Sequence, residues 1–242
     1  MQRLDRFLSE AGVESRRKLK EIIRAGRVCV DGVPIKSPEE RIDEATAVVT
    51  LDGEVVGKAT KRVVLMLHKP AGCVTAVRDP DFPTVMEHLP KEYQGLMPIG
   101  RLDKDTEGLL LFTNDGDLAH RLLSPKHGIE KTYYAEHPGT ADEADIAAFA
   151  EGCILRDGTV CRPAVLEPLG EGRSIVRICE GKYHQVRRML ASRGKPVQYL
   201  RRTAYGEVEL GSLKVGMSRE LTEEEICQLE SVNFDEKNLR KI

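Results

Sequence analysis

Tryptophan is absent from the 242 residues, and Phe and Tyr together supply only 5% of them. With so few rings, a tyrosine inside a motif carries more weight than it otherwise would. No run of about 18 apolar residues occurs, which excludes a transmembrane helix. The opening stretch MQRLDRFLSEAG has no apolar core of the secretory kind, so residence in the cytoplasm is expected. The six Cys (29, 73, 153, 161, 179 and 227) are scattered and show no C-x-x-C spacing. They are expected to be reduced and mostly buried thiols rather than a disulfide framework. The six His form no H-E-x-x-H pattern, and no metal is expected. Internal repeats and low-complexity segments are missing too. A composition of 40% hydrophobic and 31% charged residues excludes collagen-like, coiled-coil and wholly disordered chains.

Net charge is also nearly absent: 37 Lys and Arg against 39 Asp and Glu give −2. The charges are nevertheless segregated. Met1 to Lys36 holds nine Lys/Arg against five acids, and Lys182 to Arg202 holds seven Lys/Arg and no acid. After Met217 the chain turns acidic, with Glu223, Glu224, Glu225, Glu230, Asp235 and Glu236. Two basic segments in a near-neutral chain suit a polyanion held on one face, although solvated helix faces would look alike.

The first segment reads helix, helix, strand, strand. Leu4, Phe7, Leu8 and Ala11 make one apolar helix face that ends at Gly12. Ser15 is placed to cap a second helix, which buries Leu19, Ile22 and Ile23 and leaves Arg16, Arg17, Lys20, Arg24 and Arg27 mostly for solvent. Asp31-Gly32 between Val28-Cys29-Val30 and Val33-Pro34-Ile35 signals a hairpin. A strand over Ala47 to Leu51 meets a second Asp-Gly at Asp52-Gly53. The string Arg3-Leu4-Asp5, Ser15-Arg16-Arg17, Ile23-Arg24-Ala25-Gly26-Arg27-Val28 and Val30-Asp31-Gly32 resembles the S4 RNA-binding domain. That resemblance implies a basic helix face (Arg16, Arg17, Lys20, Arg24) that holds RNA phosphates without reading bases.

Residues 57–61, Gly-Lys-Ala-Thr-Lys, are polar and aperiodic and read as a flexible linker between a domain at 1–56 and another at 62–242. Strand-like runs follow at Val63 to Leu67, Leu109 to Thr113, Thr132 to Ala135, Ser174 to Ile178 and Val208 to Leu210. Helical stretches lie at Gly116 to Leu123, Ala141 to Glu151, Gln185 to Ser192 and Thr222 to Ser231. The order lacks a strict βαβ alternation, which predicts an α+β domain on an antiparallel sheet.

One segment stands out: Gly100-Arg101-Leu102-Asp103-Lys104-Asp105-Thr106-Glu107-Gly108-Leu109-Leu110-Leu111-Phe112-Thr113-Asn114-Asp115-Gly116. A charged loop runs straight into a buried strand. Asp103 and Asp105 would share a face of an extended loop. A carboxylate there can be a nucleophile, a base, a metal ligand or a loop cap. The string resembles the catalytic motif of pseudouridine synthases, in the branch with an N-terminal S4 domain. Four further stretches match that family in order: Leu67 to Gly72, Asp79 to Val85, Glu130 to Tyr133, and Glu180 to Met189.

The resemblance implies that Asp103 is the catalytic aspartate and that a uridine of RNA is isomerised without metal or cofactor. It implies that Arg187 is the active-site cation, expected here to pair with Asp103 and keep it ionised. It further implies that Tyr133 packs on the flipped base, that Leu200 lines the pocket, and that Arg101 inserts beside the extruded nucleotide. Tyr134 should face the other way. Lys182, Arg188 and the rest of the segment to Arg202 are expected to grip the RNA backbone, more weakly as salt rises. The stretch Tyr183 to Met189 with Ser124-Pro125-Lys126-His127 looks closest to enzymes acting on small-subunit ribosomal RNA, since large-subunit relatives usually carry another residue where His184 stands. The expected partner is therefore small-subunit rRNA or its ribonucleoprotein intermediate, met by a monomer with no membrane attachment. Three other readings exist: a large-subunit enzyme of the same branch, a non-catalytic assembly factor, and a metal-dependent hydrolase using Asp103 and Asp105. Intact Asp103, Tyr133 and Arg187 weigh against the second, and Thr106 and Gly108, which supply no ligands, weigh against the third.

Overall fold

The computed structural model describes residues 1–44, 46–56, 62–124 and 126–231. The linker expected at 57–61 and Pro125 lie outside the described residues. The chain divides into two compact units, one of Met1–Val63 with Asn114–Gly116 and one of Val64–Thr113 with the residues from Asp117 onward.

The first unit runs β1 (Gln2–Arg3), α1 (Leu4–Glu10), α2 (Arg16–Arg24), β2 (Val28–Val30), β3 (Val33–Ile35), β4 (Arg41–Ile42), β5 (Val49–Leu51) and β6 (Glu54–Val55). Ser15 occupies the N-cap position of α2 in extended conformation, but its side chain makes no capping bond. Both Asp-Gly pairs close hairpins, β2 to β3 and β5 to β6. Their φ angles are positive at Asp31, Gly32, Asp52 and Gly53, as two-residue turns with the right-handed strand twist require. Leu4, Phe7 and Leu8 of α1 and Leu19, Ile22 and Ile23 of α2 share one core with Val28, Ile42 and Val49. Arg16, Arg17 and Arg24 remain exposed on the outer face of α2, with Lys20 half-buried.

The second unit carries β7 (Val64–Lys69), β8 (Met97–Ile99), β9 (Glu107–Thr113), α3 (Gly116–Leu123), β10 (Lys131–Glu136), α4 (Glu143–Glu151), β11 (Val165–Pro168), β12 (Arg173–Ile178), α5 (Gln185–Ser192), β13 (Tyr199–Tyr205), β14 (Val208–Glu209), β15 (Ser218–Glu220) and α6 (Glu223–Ser231). Its sheet has the order β11-β12-β10-β13-β9-β7-β15, with β8 beside β9 and β14 beside β13. The class is α+β as expected, and the pairing is antiparallel except at one seam. There β13 runs parallel to β9 through Arg201↔Glu107 and Arg202↔Gly108. Leu109 and Leu111 of β9 pack with Met66, Ile99, Leu118, Leu122 and Tyr205, so the motif strand is the spine of the core.

Strand β13 is the central element that the charge pattern concealed. The expectation that residues up to Arg202 grip RNA fails at Arg202 itself. That side chain is 3% exposed and donates from Nε to the Leu109 carbonyl at 2.7 Å. It spans the parallel seam, where few ladder bonds form, and supplies an internal bond in their place. The cysteines are all unpaired: Cys73, Cys153 and Cys161 are buried, Cys29 and Cys179 half-buried, and Cys227 exposed. Among the described residues no helix is long and apolar enough to cross a membrane.

Candidate active site

Within the second unit, β10, β13, the loop before β9 and the loop before α5 enclose a cleft of about 840 Å³. Arg101, Asp103, Lys131, Tyr133, His184 and Leu200 all line it. Tyr133 and Leu200 come from neighbouring strands and are buried, at 8% and 2% exposure, so they form the floor. Tyr134 faces the other side of the sheet, as strand alternation demands.

The loop that carries Asp103 is held from three directions. Thr75 Oγ1 donates to the Leu102 carbonyl at 2.8 Å and accepts the Leu102 N–H at 3.0 Å. The Gly72 N–H donates to the Lys104 carbonyl at 2.8 Å. The Lys69 ammonium, fully buried, donates to the carbonyls of Pro70, Lys104 and Thr106 at 2.9, 3.2 and 3.0 Å. Burial pushes the Lys69 pKa down, partly offset by Cys73, Asp105, Asp103 and Glu107 around it. Three carbonyls satisfy its three N–H groups, so a cation is tolerated where water cannot reach. Lys69 lies in the Leu67 to Gly72 motif, yet nothing in its spacing announced this role. Thr75 carried no signal at all.

Asp103 keeps contact with solvent at 30% side-chain exposure, and its Oδ1 lies 3.4 Å from His184 Nε2. His184 precedes α5 in the left-handed region, with φ of 48°. The expected Asp103–Arg187 pair is not formed. Arg187 Nη2 instead bonds Asp105 Oδ2 at 3.0 Å and the Asp105 carbonyl at 3.3 Å. The reason is local. The Thr106 N–H bonds the Asp103 carbonyl at 3.1 Å, so the loop turns at Lys104 and Asp105 and is not extended. The two carboxylates therefore diverge. Asp103 lines the cleft, while Asp105 and Arg187 do not.

Arg101 is exposed at the cleft and makes no side-chain hydrogen bond or ion pair with any described residue. Lys182 and Arg188 do not offer uncompensated charge. Lys182 Nζ bonds Glu180 at 2.8 Å and the Val160 carbonyl at 2.6 Å, and Arg188 pairs with Asp157 at 2.5 Å. On the cleft wall, Lys131 has its pKa lowered to about 8, by burial first and by nearby Arg202 second. Among the described residues no group of three or more His, Cys, Asp or Glu could hold a metal ion.

Of the two carboxylates that line the cleft, Glu180 is held by Lys182 and Gln185, which leaves Asp103; with the aromatic floor and a mouth lined by cations, the cleft can hold a planar, uncharged base beside a nucleophile or base. Comparisons with known proteins agree with that chemistry. The family described as RNA pseudouridylate synthase matches residues 63–192, and the S4 domain matches residues 2–48. The chain is 42% identical over 231 residues to the uncharacterized RNA pseudouridine synthase YtzG of Bacillus subtilis, covering 93% of this chain and 96% of that one. It is 38% identical over 230 residues to ribosomal small subunit pseudouridine synthase A of Pseudomonas aeruginosa, covering 94% and 100%. Among solved structures, a crystal structure of pseudouridylate synthase aligns with a TM-score of 0.69 at 38% identity, over 95% of this chain and 100% of that one.

Proposed function

Because the chain belongs to the RNA pseudouridylate synthase family and carries an S4 domain, we propose that its substrate is one uridine of small-subunit ribosomal RNA, free or in a ribonucleoprotein intermediate. The enzyme is an isomerase: the C1′–N1 bond is cut, the uracil turns, and it is rejoined to C1′ through C5 with no net change of atoms. The observation that carries the reading is Asp103 beside His184 in a cleft floored by Tyr133 and Leu200. The small-subunit assignment is supported by the names of two similar proteins, from Pseudomonas aeruginosa and Pasteurella multocida.

In this reading the target uridine leaves its stack and enters the cleft. Its base lies on the Tyr133 ring and against Leu200. The Asp103 carboxylate then meets the ribose–base junction. Arg101 occupies the space the base has left, its planar guanidinium stacking on a neighbouring base. Lys69 and Arg187 act through the loop: one ties its carbonyls from inside, the other clamps Asp105 from outside. Arg16, Arg17, Lys20 and Arg24 of the S4 domain hold phosphates.

The test is pseudouridine mapping of rRNA from cells with and without the gene, complemented by wild type or Asp103→Asn. One pseudouridine in small-subunit rRNA should vanish on deletion and return only with wild type. Purified Asp103→Asn should show no turnover while RNA affinity stays within about twofold. A lost modification in large-subunit rRNA would reject the proposed substrate, and loss of RNA binding by Asp103→Asn would make Asp103 structural.

A further inference from the structure

Tyr183 is 76% exposed in a chain with little aromatic surface. Its ring is stacked on that of His184, with centroids 3.9 Å apart and planes 17° from parallel. His184 covers one ring face, so at this exposure the other face lies in solvent. Among the described residues, Phe82, the other well-exposed aromatic ring at 44%, already has the Lys104 ammonium 3.6 Å above its centre. The Tyr183 hydroxyl bonds no described residue, while its backbone carbonyl accepts from Arg188 at 3.3 Å. Both Tyr183 and His184 line the cleft that holds Asp103.

Folding alone does not account for this pair. A ring with one face covered removes little apolar surface from water. His184 reaches its position only through a left-handed backbone, a conformation that costs a non-glycine residue and collects at binding sites. A solvent-facing ring at the mouth of a cleft, backed by a second ring, is suited to a flat aromatic ligand. On the reading of the cleft given above, that ligand is at hand. When a uridine flips inward, both flanking bases lose a stacking partner; Arg101 stands in on one side, and the base on the other side presents a bare face. Tyr133 lies at the buried floor and serves the flipped base, whereas Tyr183 lies outside it, where the strand continues.

We propose that the outward face of Tyr183, held flat by His184, stacks on the unpaired nucleobase next to the flipped uridine and thereby sets which RNA context is bound. The proposal rests on the pseudouridine synthase reading of the cleft. The partner must be a base in single-stranded or looped RNA, because bases within a duplex expose no face. Lys104, lining the same cleft, would meet a neighbouring phosphate.

The absence of tryptophan supplies a direct probe, since Tyr183→Trp places the chain's sole indole on the platform. Protein-free small-subunit rRNA should quench its fluorescence, and a fully duplex RNA should not. In tritium-release assays on the same rRNA, Tyr183→Ala should raise KM about 5- to 150-fold with kcat within about twofold, as expected for loss of one base–aromatic stack. Tyr183→Phe should match wild type, which also reports that the exposed position tolerates substitution. Absence of quenching, or a KM for Tyr183→Ala within about twofold of wild type, would overturn the platform. A wild-type protein that releases no tritium from any rRNA would instead reject the function proposed above, leaving the quenching to decide on the stacking.

Discussion

Among the described residues, the Asp103 carboxylate makes one side-chain polar contact, the 3.4 Å approach of His184 Nε2. In the proposed function this carboxylate meets the ribose–base junction, which requires its orientation to be fixed before substrate arrives. The loop bonds from Lys69, Thr75 and Gly72 fix its backbone, which leaves His184 to fix its χ angles. His184→Asn separates this duty from the strained backbone. Asn is among the residues most at ease with φ near 48°, but its shorter amide falls short of Asp103. At 3.4 Å and part exposed, the approach is a long polar contact worth on the order of 1 kcal/mol, so kcat should fall about fivefold while KM moves far less. His184→Gln, whose amide nitrogen reaches the place of Nε2, should recover part of the loss. Equal kcat values in wild type and His184→Asn would leave the contact without a catalytic consequence. His184 entered the sequence reading only as a mark of subfamily. A contact made by a left-handed residue between two loops has no sequence period that could reveal it.

At the scale of elements, the parallel seam between β9 and β13 explains a glycine within the Gly100 to Gly116 motif. Gly108 has φ of +110°, and a Cβ there would lie 2.2 Å from the Arg202 carbonyl oxygen and 2.6 Å from its nitrogen. Both obstacles are backbone, so nothing flexible can give way. Gly108→Ala should destabilise the larger unit by about 3 kcal/mol, from overpacking plus left-sided backbone strain. That corresponds to a fall in Tm of about 6–12 °C by calorimetry. Gly211→Ala is the control: its φ is +57° but nothing lies within 4 Å of the added Cβ, so strain alone remains. If the two variants melt together, the close approach is not the cause. The same seam shows what the sequence could and could not disclose. Helices α3 and α5 and the strand of the Leu109 to Thr113 run were legible, because periodicity and apolar runs report burial directly. Strand β13 was not, because Arg201-Arg202 reads as solvated charge until the Leu109 carbonyl is seen to accept from Arg202. The Arg187 partner, expected from the family resemblance to be Asp103, is Asp105 instead, because a single turn bond at Lys104 and Asp105 sends the two carboxylates apart.

For the molecule as a whole, each unit carries a buried apolar cluster of its own. Leu4, Leu8, Leu19 and Ile23 close the S4 unit, and Met66, Leu109, Leu111 and Tyr205 close the catalytic one. Arg16, Arg17, Lys20 and Arg24 belong to neither cluster, so changing them should leave the chemistry of the larger unit intact. The exposed face of α2 puts this to the test. Arg16, Arg17 and Arg24 are exposed and Lys20 is half-buried, while Leu19, Ile22 and Ile23 hold the helix in place. Replacing all four cations by Gln keeps good helix formers and removes four positive charges. If each cation neutralises one phosphate, the slope of log affinity against log salt should become shallower by about 3, since each contact contributes roughly 0.7 to 0.9. Affinity for rRNA should fall most at low salt, where released counterions gain the most entropy. At saturating RNA, kcat should equal that of wild type, because the face holds the substrate without touching the reacting atoms. An unchanged salt slope would show that α2 faces something other than phosphate, and a lost kcat at saturation would show that the two units are coupled in catalysis. Binding titrations from 50 to 300 mM salt, on the order of the range over which such slopes are read, would decide between these outcomes.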